Sequence, residues 1–338
     1  MLFLMLLASD PVPGPIKAFG DWVVACDNLR SCEMTSLVPG DGMEADEAHS
    51  NVSLSIARAA GPAGAFTVEV GFNRAESGEA TLIADGEVIA GAVPKGDSMR
   101  FTGVQAARIV AALIKAKELK LIDIGGAEIG LVSLAGSSAA LRFIDAEQGR
   151  SGTVSAAVAK GGKPAAAVPG AAAGPAIRFV RPGGKAVPIT AALKRAMLQK
   201  ARLKASDCSD GSGENPDIEA YAIGGGATLA LLPCGAGAYN FMTVPFVIRG
   251  GKPVVAGFDF APGMDKGSTV PMLVNAGWDA RTARLSSYSK GRGLGDCGSS
   301  EDYVWDGAGF RLVEARQMIE CRGSANWLTV FKAATLAQ

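Results

Sequence analysis

Six cysteines, at positions 26, 32, 208, 234, 297 and 321, are the residues of this chain best suited to chemistry. Thiolates at the right spacing bind zinc, exchange disulfides or attack carbonyl carbons. Structural zinc asks for cysteines roughly two to four residues apart, or for cysteine combined with histidine. Here no Cys-x-x-Cys occurs and His49 is the single histidine. Redox catalysis relies on the same missing pair. Covalent stapling is the use that fits, and locality narrows the possible pairings. Cys26 and Cys32 enclose DNLRS, a polar stretch able to turn the chain between WVVA and EMTSL. Cys208 and Cys234 bracket the first strand-like runs of the second half, while Cys297 and Cys321 flank YVW-DGAG-FRL nearly symmetrically. The expected pattern is therefore sequential: Cys26–Cys32, Cys208–Cys234 and Cys297–Cys321.

Other chemistries find less support. His49 sits in GDGMEADEAHSNV, a loop dense in acids, and is the only imidazole available to a Ser–His or Cys–His arrangement; it reads as incidental. GLGDCG, residues 293–298, formally fits the dinucleotide fingerprint, but SSYSK before it is no buried parallel strand and SSEDYVW after it no helix. Its glycines are expected in a turn beside Cys297. The run SDCSDGSGENPDIE places Asp207, Asp210, Glu214 and Asp217 near one another without the calcium-loop spacing. Neither a cofactor nor a metal site is expected. Trp22, Trp278, Trp305 and Trp327 have the faces to stack on sugars, but tryptophans of β-rich domains mostly belong to cores.

The elements that position these residues read as two halves. WVVAC, NVSLSIA and AFTVEVGF are rich in β-branched residues and alternate in part, and TLIA-DG-EVIA is a hairpin closed by Asp85-Gly86. TGVQAARIVAALIKAKELK follows as a helix with Thr102 as N-cap in a capping-box pattern, with Ile109, Val110, Leu113 and Ile114 on one side. Residues 127–134 read as a strand, and SSAALRFIDAEQG as a short helix ended by Gly149. Residues 149–175, rich in Ala, Gly and Pro, read as a flexible linker spanning on the order of 30 Å. Beyond a strand near IRFV comes a basic helix, TAALKRAMLQKARLKA, whose Lys194, Arg195, Lys200, Arg202 and Lys204 offer a candidate anion-binding surface. Strand-like runs at about ten-residue spacing then suggest a meandering antiparallel sheet. The expected fold class is α+β: two β-rich domains, 10–148 and 176–338, with antiparallel sheets and a few short helices.

Charge and the N-terminus bear on compartment and partner. The formal net charge is zero, which disfavours nucleic acid. Residues 1–150 nevertheless carry 12 Lys and Arg against 19 Asp and Glu, a balance of −7, offset by +7 in the remainder. MLFLMLLA, followed by Ser9, is too short to span a bilayer and reads as the remnant of a secretion signal over residues 1–9. No later stretch is apolar and long enough to anchor the chain, so a periplasmic or secreted location without a membrane span is expected.

FGDWVVACDN…CEMTSL, with LVSLAGSSAALRFID later in the first half, resembles the invasion-associated locus B family of bacterial envelope proteins. Taken whole, through GAYN at 237–240, LGDCG, YVWDGAGFRL and ECRG, the chain is similar to a proteobacterial family known as domain of unknown function 1176. The resemblance implies an exported envelope protein and brings no catalytic residues with it. A further cysteine pair that it leads one to expect has no counterpart between residues 33 and 207. Export, stapling and the missing catalytic constellations together favour a non-enzymatic binding, adaptor or inhibitor-like module, whose partner is another envelope protein or polymer. The alternative is a carboxylate-based hydrolase acting on envelope polymers.

Overall fold

Where one face of a sheet is buried, side-chain alternation fixes the strand and its register. The computed structural model describes residues 10–40, 47–73, 78–202, 208, 217–263 and 270–338; the expected signal remnant and Lys204 lie outside them. The first half opens with β1 (Ile16–Phe19), β2 (Trp22–Cys26), β3 (Cys32–Ser36), the single turn α1 (Glu47–Ser50), β4 (Val52–Arg58) and β5 (Phe66–Phe72). It continues with β6 (Ala80–Ala84), β7 (Glu87–Ala92), β8 (Ser98–Thr102), α2 (Gly103–Lys115), β9 (Leu119–Ile122), β10 (Glu128–Leu131) and α3 (Ser137–Glu147). All strand pairs here are antiparallel, in a six-stranded sheet ordered β1-β2-β3-β4-β5-β8 and a four-stranded one ordered β10-β9-β6-β7. Strand β4 turns Val52, Leu54, Ile56 and Arg58 inward and Ser53 and Ser55 outward. The β6–β7 turn is Asp85-Gly86, both with positive φ. Ile109, Val110 and Leu113 of α2, and Leu141 and Ile144 of α3, seal the large sheet's inner face. Thr102 does flank α2, yet its side chain makes no capping bond. It is still the last residue of β8, paired with Thr67, so its backbone belongs to the ladder.

The second half contains β11 (Ala176–Phe179), α4 (Ala191–Ala201), β12 (Glu219–Gly224), β13 (Ala227–Ala236), β14 (Phe241–Arg249), β15 (Lys252–Val255) and β16 (Leu273–Val274). Then follow β17 (Gly277–Asp279), β18 (Arg284–Lys290), β19 (Gly298–Trp305), β20 (Phe310–Met318), β21 (Leu328–Lys332) and β22 (Ala334–Ala337). The meander is divided into two five-stranded antiparallel sheets, one of β12 to β16 and one of β17 to β21. β11 and β22 pair in parallel and join the two ends of this half. Met197 of α4 packs on one face of the first sheet with Phe246 and Ile248, while Leu229 and Leu231 on the other face meet the second sheet.

The halves share a core. β2 does not alternate: all five of its residues are buried, Trp22, Val24 and Cys26 in the first core and Val23 and Ala25 in the second. A strand covered on both sides needs a continuous apolar run, which WVVAC supplies. Within residues 149–175, Arg150 and Ala157 to Ala159 are hydrogen-bonded to the first half, and the Pro175 carbonyl accepts from the Ala334 amide of the second. Fully buried Asp145 accepts hydrogen bonds from the Ala157, Val158 and Ala159 amides at 2.8, 2.8 and 3.0 Å and from the Arg58 guanidinium at 3.2 Å. Arg150, also fully buried, donates to Gln148 Oε1 at 2.7 Å and to the Ala59 and Gly61 carbonyls. Burial, then Arg150, lowers the Arg58 guanidinium to about 10, with Asp145 opposing the shift.

Candidate functional site

Three short motifs meet where the halves join. Gly20 and Gly136 pass back to back: a Cβ on Gly136 would lie 1.8 Å from the Phe19 carbonyl oxygen, and both glycines have positive φ. This contact presents Asp21, whose amide donates to the Ala135 carbonyl at 2.8 Å and whose carboxylate accepts from Ser133. From the second half, Arg322 reaches that carboxylate and also donates to the Gly20 and Val38 carbonyls, each at 2.9 Å. Beneath it the Cys297–Cys321 disulfide ties LGDCG to ECRG. Asp296 takes the Gly323 amide at 2.7 Å and is paired with Arg292. The Arg292 hydrogen bond, helped by the Gly323 amide, holds the Asp296 carboxyl below the ordinary range despite burial. A second clasp is Asn28, which exchanges two bonds with the Lys332 backbone, at 2.7 and 3.0 Å.

Docking leaves part of the large sheet open. The second half covers the outer face of β2 and stops beside β3, so the outward side chains of β4, β5 and β8 form the floor of a groove of about 430 Å³. That floor is small and hydroxylic, made of Ser53, Ser55, Ala57, Thr67 and Gly71, with Glu33, Glu69 and Arg100 around it and Asn326 as a wall. Ser55 is oriented from both halves, by Asn326 at 2.9 Å and by Thr35 at 3.1 Å. Glu69 lies cross-strand from both Ser55 and Arg100. Neither glutamate nor Arg100 forms an ion pair or side-chain hydrogen bond with the described residues. Among the described residues, Arg322–Asp21 is also the one ion pair that crosses between the halves, so their opposite charges are barely spent on each other.

Residues 16–334 match the profile of the family described as "Protein of unknown function (DUF1176)". The chain belongs to that family. It is 28% identical, over 337 aligned residues, to the "Uncharacterized protein YpfG" of Escherichia coli strain K12, covering 93% of this chain and 92% of that one. Among solved structures, the invasion associated protein b of Bartonella henselae aligns with 40% of this chain and 99% of its own, at 21% identity and a TM-score of 0.29. In this member of the DUF1176 family several short motifs of the chain serve to fasten it. FGDW, the LAG of LVSLAG, LGDCG and ECRG build the clasp. GAYN supplies Asn240, which exchanges bonds with the Lys290 backbone at 2.9 and 3.1 Å and so ties the two sheets of the second half.

The residues singled out from sequence are dispersed. All three expected disulfides are present, with no free cysteine among the described residues. His49 is half-buried on α1. GLGDCG forms the turn beside Cys297, and Gly298 begins β19. Trp22, Trp305 and Trp327 are buried and Trp278 is half-buried. Of the acidic run, Asp217 is exposed; Asp207, Asp210 and Glu214 lie outside the described residues. On α4, Arg195 and Lys200 are exposed and Lys194 is half-buried; Arg202, which caps the helix, is exposed. Among the described residues no helix is long and apolar enough to cross a membrane, and no three His, Cys, Asp or Glu side chains gather as metal ligands.

Two other carboxylates do share a cleft. Asp259 and Asp306 line a space of about 640 Å³ on either side of Arg311. Burial raises Asp259; Asp306 is held down by the Gly309 amide and Arg311 against the opposing effect of its burial. Each is already committed, Asp259 to the Leu312 amide at 2.9 Å and Asp306 to the Ala308 and Gly309 amides at 2.7 Å. They hold a strand and a turn. Elsewhere, Glu301 on β19 is a buried carboxylate, which burial, joined by Asp302, pushes above its ordinary 4.5 despite bonds from Ser299 and the Gly263 amide. A carboxyl that keeps its proton more tightly folded than unfolded destabilises the fold only once ionised, and that cost fades as the pH falls towards 4.5. Glu301→Gln is therefore expected to raise Tm at pH 7 and to leave it unchanged at about pH 4. An equal gain at both pH values in thermal melts would rule this out.

Proposed function

We propose that this protein is a non-enzymatic binding module of the bacterial envelope, periplasmic or secreted, which engages its partner through the groove over β4, β5 and β8. The single observation that carries this is a polar floor left open by the described residues: a sheet face beside an inter-half wall, with two glutamates and one arginine that form no ion pair or side-chain hydrogen bond among those residues. Three disulfides support an oxidising compartment, since such bonds persist outside the reducing cytosol. Polar rims and preformed concave floors are general features of recognition surfaces. The hydrolase reading gains little from Asp259 and Asp306: one oxygen of each holds backbone amides, and Arg311 lies against the other.

The test is site-directed photo-crosslinking in periplasmic extract. A photoreactive residue at Thr67 or Asn326 is expected to capture a discrete partner, and one at exposed Ile124 to capture none. Glu33→Arg should abolish the Thr67 adduct. Equal labelling from all three positions, or turnover of purified envelope polymer by the isolated protein, would overturn the reading.

A further inference from the structure

Ladder register fixes the spacing of the two glutamates. Glu33 on β3 faces Ala57 on β4; two residues along β4, Ser55 faces Glu69 on β5. Both glutamates thus stand on the same face, two strands apart laterally and two residues apart lengthwise. With strands about 4.8 Å apart and a rise of about 3.3 Å per residue, their Cα atoms lie about 12 Å from each other. In an extended chain, residues i and i+4 point to the same side and are about 13 Å apart. The floor between the glutamates carries only the small side chains of Ser55, Ala57 and Thr67. Arg100, cross-strand from Glu69, bounds the charged stretch on the β8 side.

We propose that the groove binds an extended peptide segment bearing two basic side chains at positions i and i+4, one taken by Glu33 and one by Glu69. The inference rests on the reading of the groove as the binding surface. Charge complementarity identifies the occupant: two carboxylates face one guanidinium inside a half whose balance is −7. Hydroxyls of Ser53 and Thr67 are available to the backbone of a chain laid beside them. Arg100 repels any further cation and so limits the match to two.

The probes are two blocked pentapeptides of the same composition, Lys-Thr-Val-Thr-Lys and Lys-Lys-Thr-Val-Thr, with a neutral N-acetylglucosamine tetramer as a third ligand, followed by amide chemical shifts of the full chain. The spaced peptide is expected to shift Ser53, Ser55 and Thr67 and to bind about fivefold more tightly than the clustered one. Glu33→Gln and Glu69→Gln should each weaken it about fivefold, whereas Arg100→Gln should tighten it. Exposed Glu87 and Glu128 lie on other strands, and Glu87→Gln or Glu128→Gln should change nothing. Equal affinity for both peptides, or equal loss with the control substitutions, would overturn the inference. If only the neutral sugar shifts the groove amides, the cationic occupant is wrong and the groove reading stands. If no probe shifts them and Thr67 captures no partner, both fall together.

Discussion

Asp145→Asn is expected to cost about 3–5 kcal/mol of stability, the range for removing one partner of a buried ion pair, and so to consume much of the 5–15 kcal/mol typical of a folded domain. The change is nearly isosteric, so the loss would come from polarity. Four donors converge on the two Asp145 oxygens: three backbone amides and the Arg58 guanidinium. An amide nitrogen in place of either oxygen points a donor at donors. Arg58 and Arg150, both buried, would also lose their shared counter-charge. Urea denaturation should show the loss, and limited proteolysis should show new cleavage within residues 149–175, because the released amides are those of Ala157 to Ala159. A cost below about 1 kcal/mol, the ordinary value of a neutral hydrogen bond, would mean that the cluster is not a clamp.

Asp145 also illustrates what could be read from sequence and what could not. Local features were legible. Each disulfide closes a short stretch of chain, Asp85-Gly86 is a hairpin signal independent of context, and the inward stripes of α2 and α3 follow from helical period. The fastening of 149–175 was not legible, because composition counts side chains and the fasteners here are main-chain amides meeting a buried carboxylate. The clasps were hidden for another reason: Asp21 and Arg322 are 301 residues apart, and Asn28 and Lys332 are 304 apart. WVVAC did carry a signal, since a strand with no polar alternation has to be covered on both faces. The groove lies between these cases. Alternation in β4 shows Ser53 and Ser55 pointing away from the first core, but whether that face is covered depends on where the second half docks.

Converting Cys297 and Cys321 to serine is expected to cost about 3 kcal/mol through loop entropy alone, for a ring whose ends are 24 residues apart in sequence. The consequence should extend beyond the second half. Cys297 follows Asp296, which holds the Gly323 amide, and Cys321 precedes Arg322, which holds Gly20, Asp21 and Val38. The disulfide therefore sets the distance between the two loops that fasten the halves, and loosening it frees the Asn326 wall that orients Ser55. The double variant should melt earlier, shift the Ser55 amide, and bind the spaced peptide more weakly although no groove residue has changed. Replacing Cys26 and Cys32 should do less. Those two are direct partners in the β2–β3 ladder, so hydrogen bonds still close their shorter loop when the sulfurs are gone. Equal losses for the two pairs would show that the Cys297–Cys321 bond acts only on the unfolded chain, and the clasp would then have to draw its strength from Arg322 and Asn28 without it.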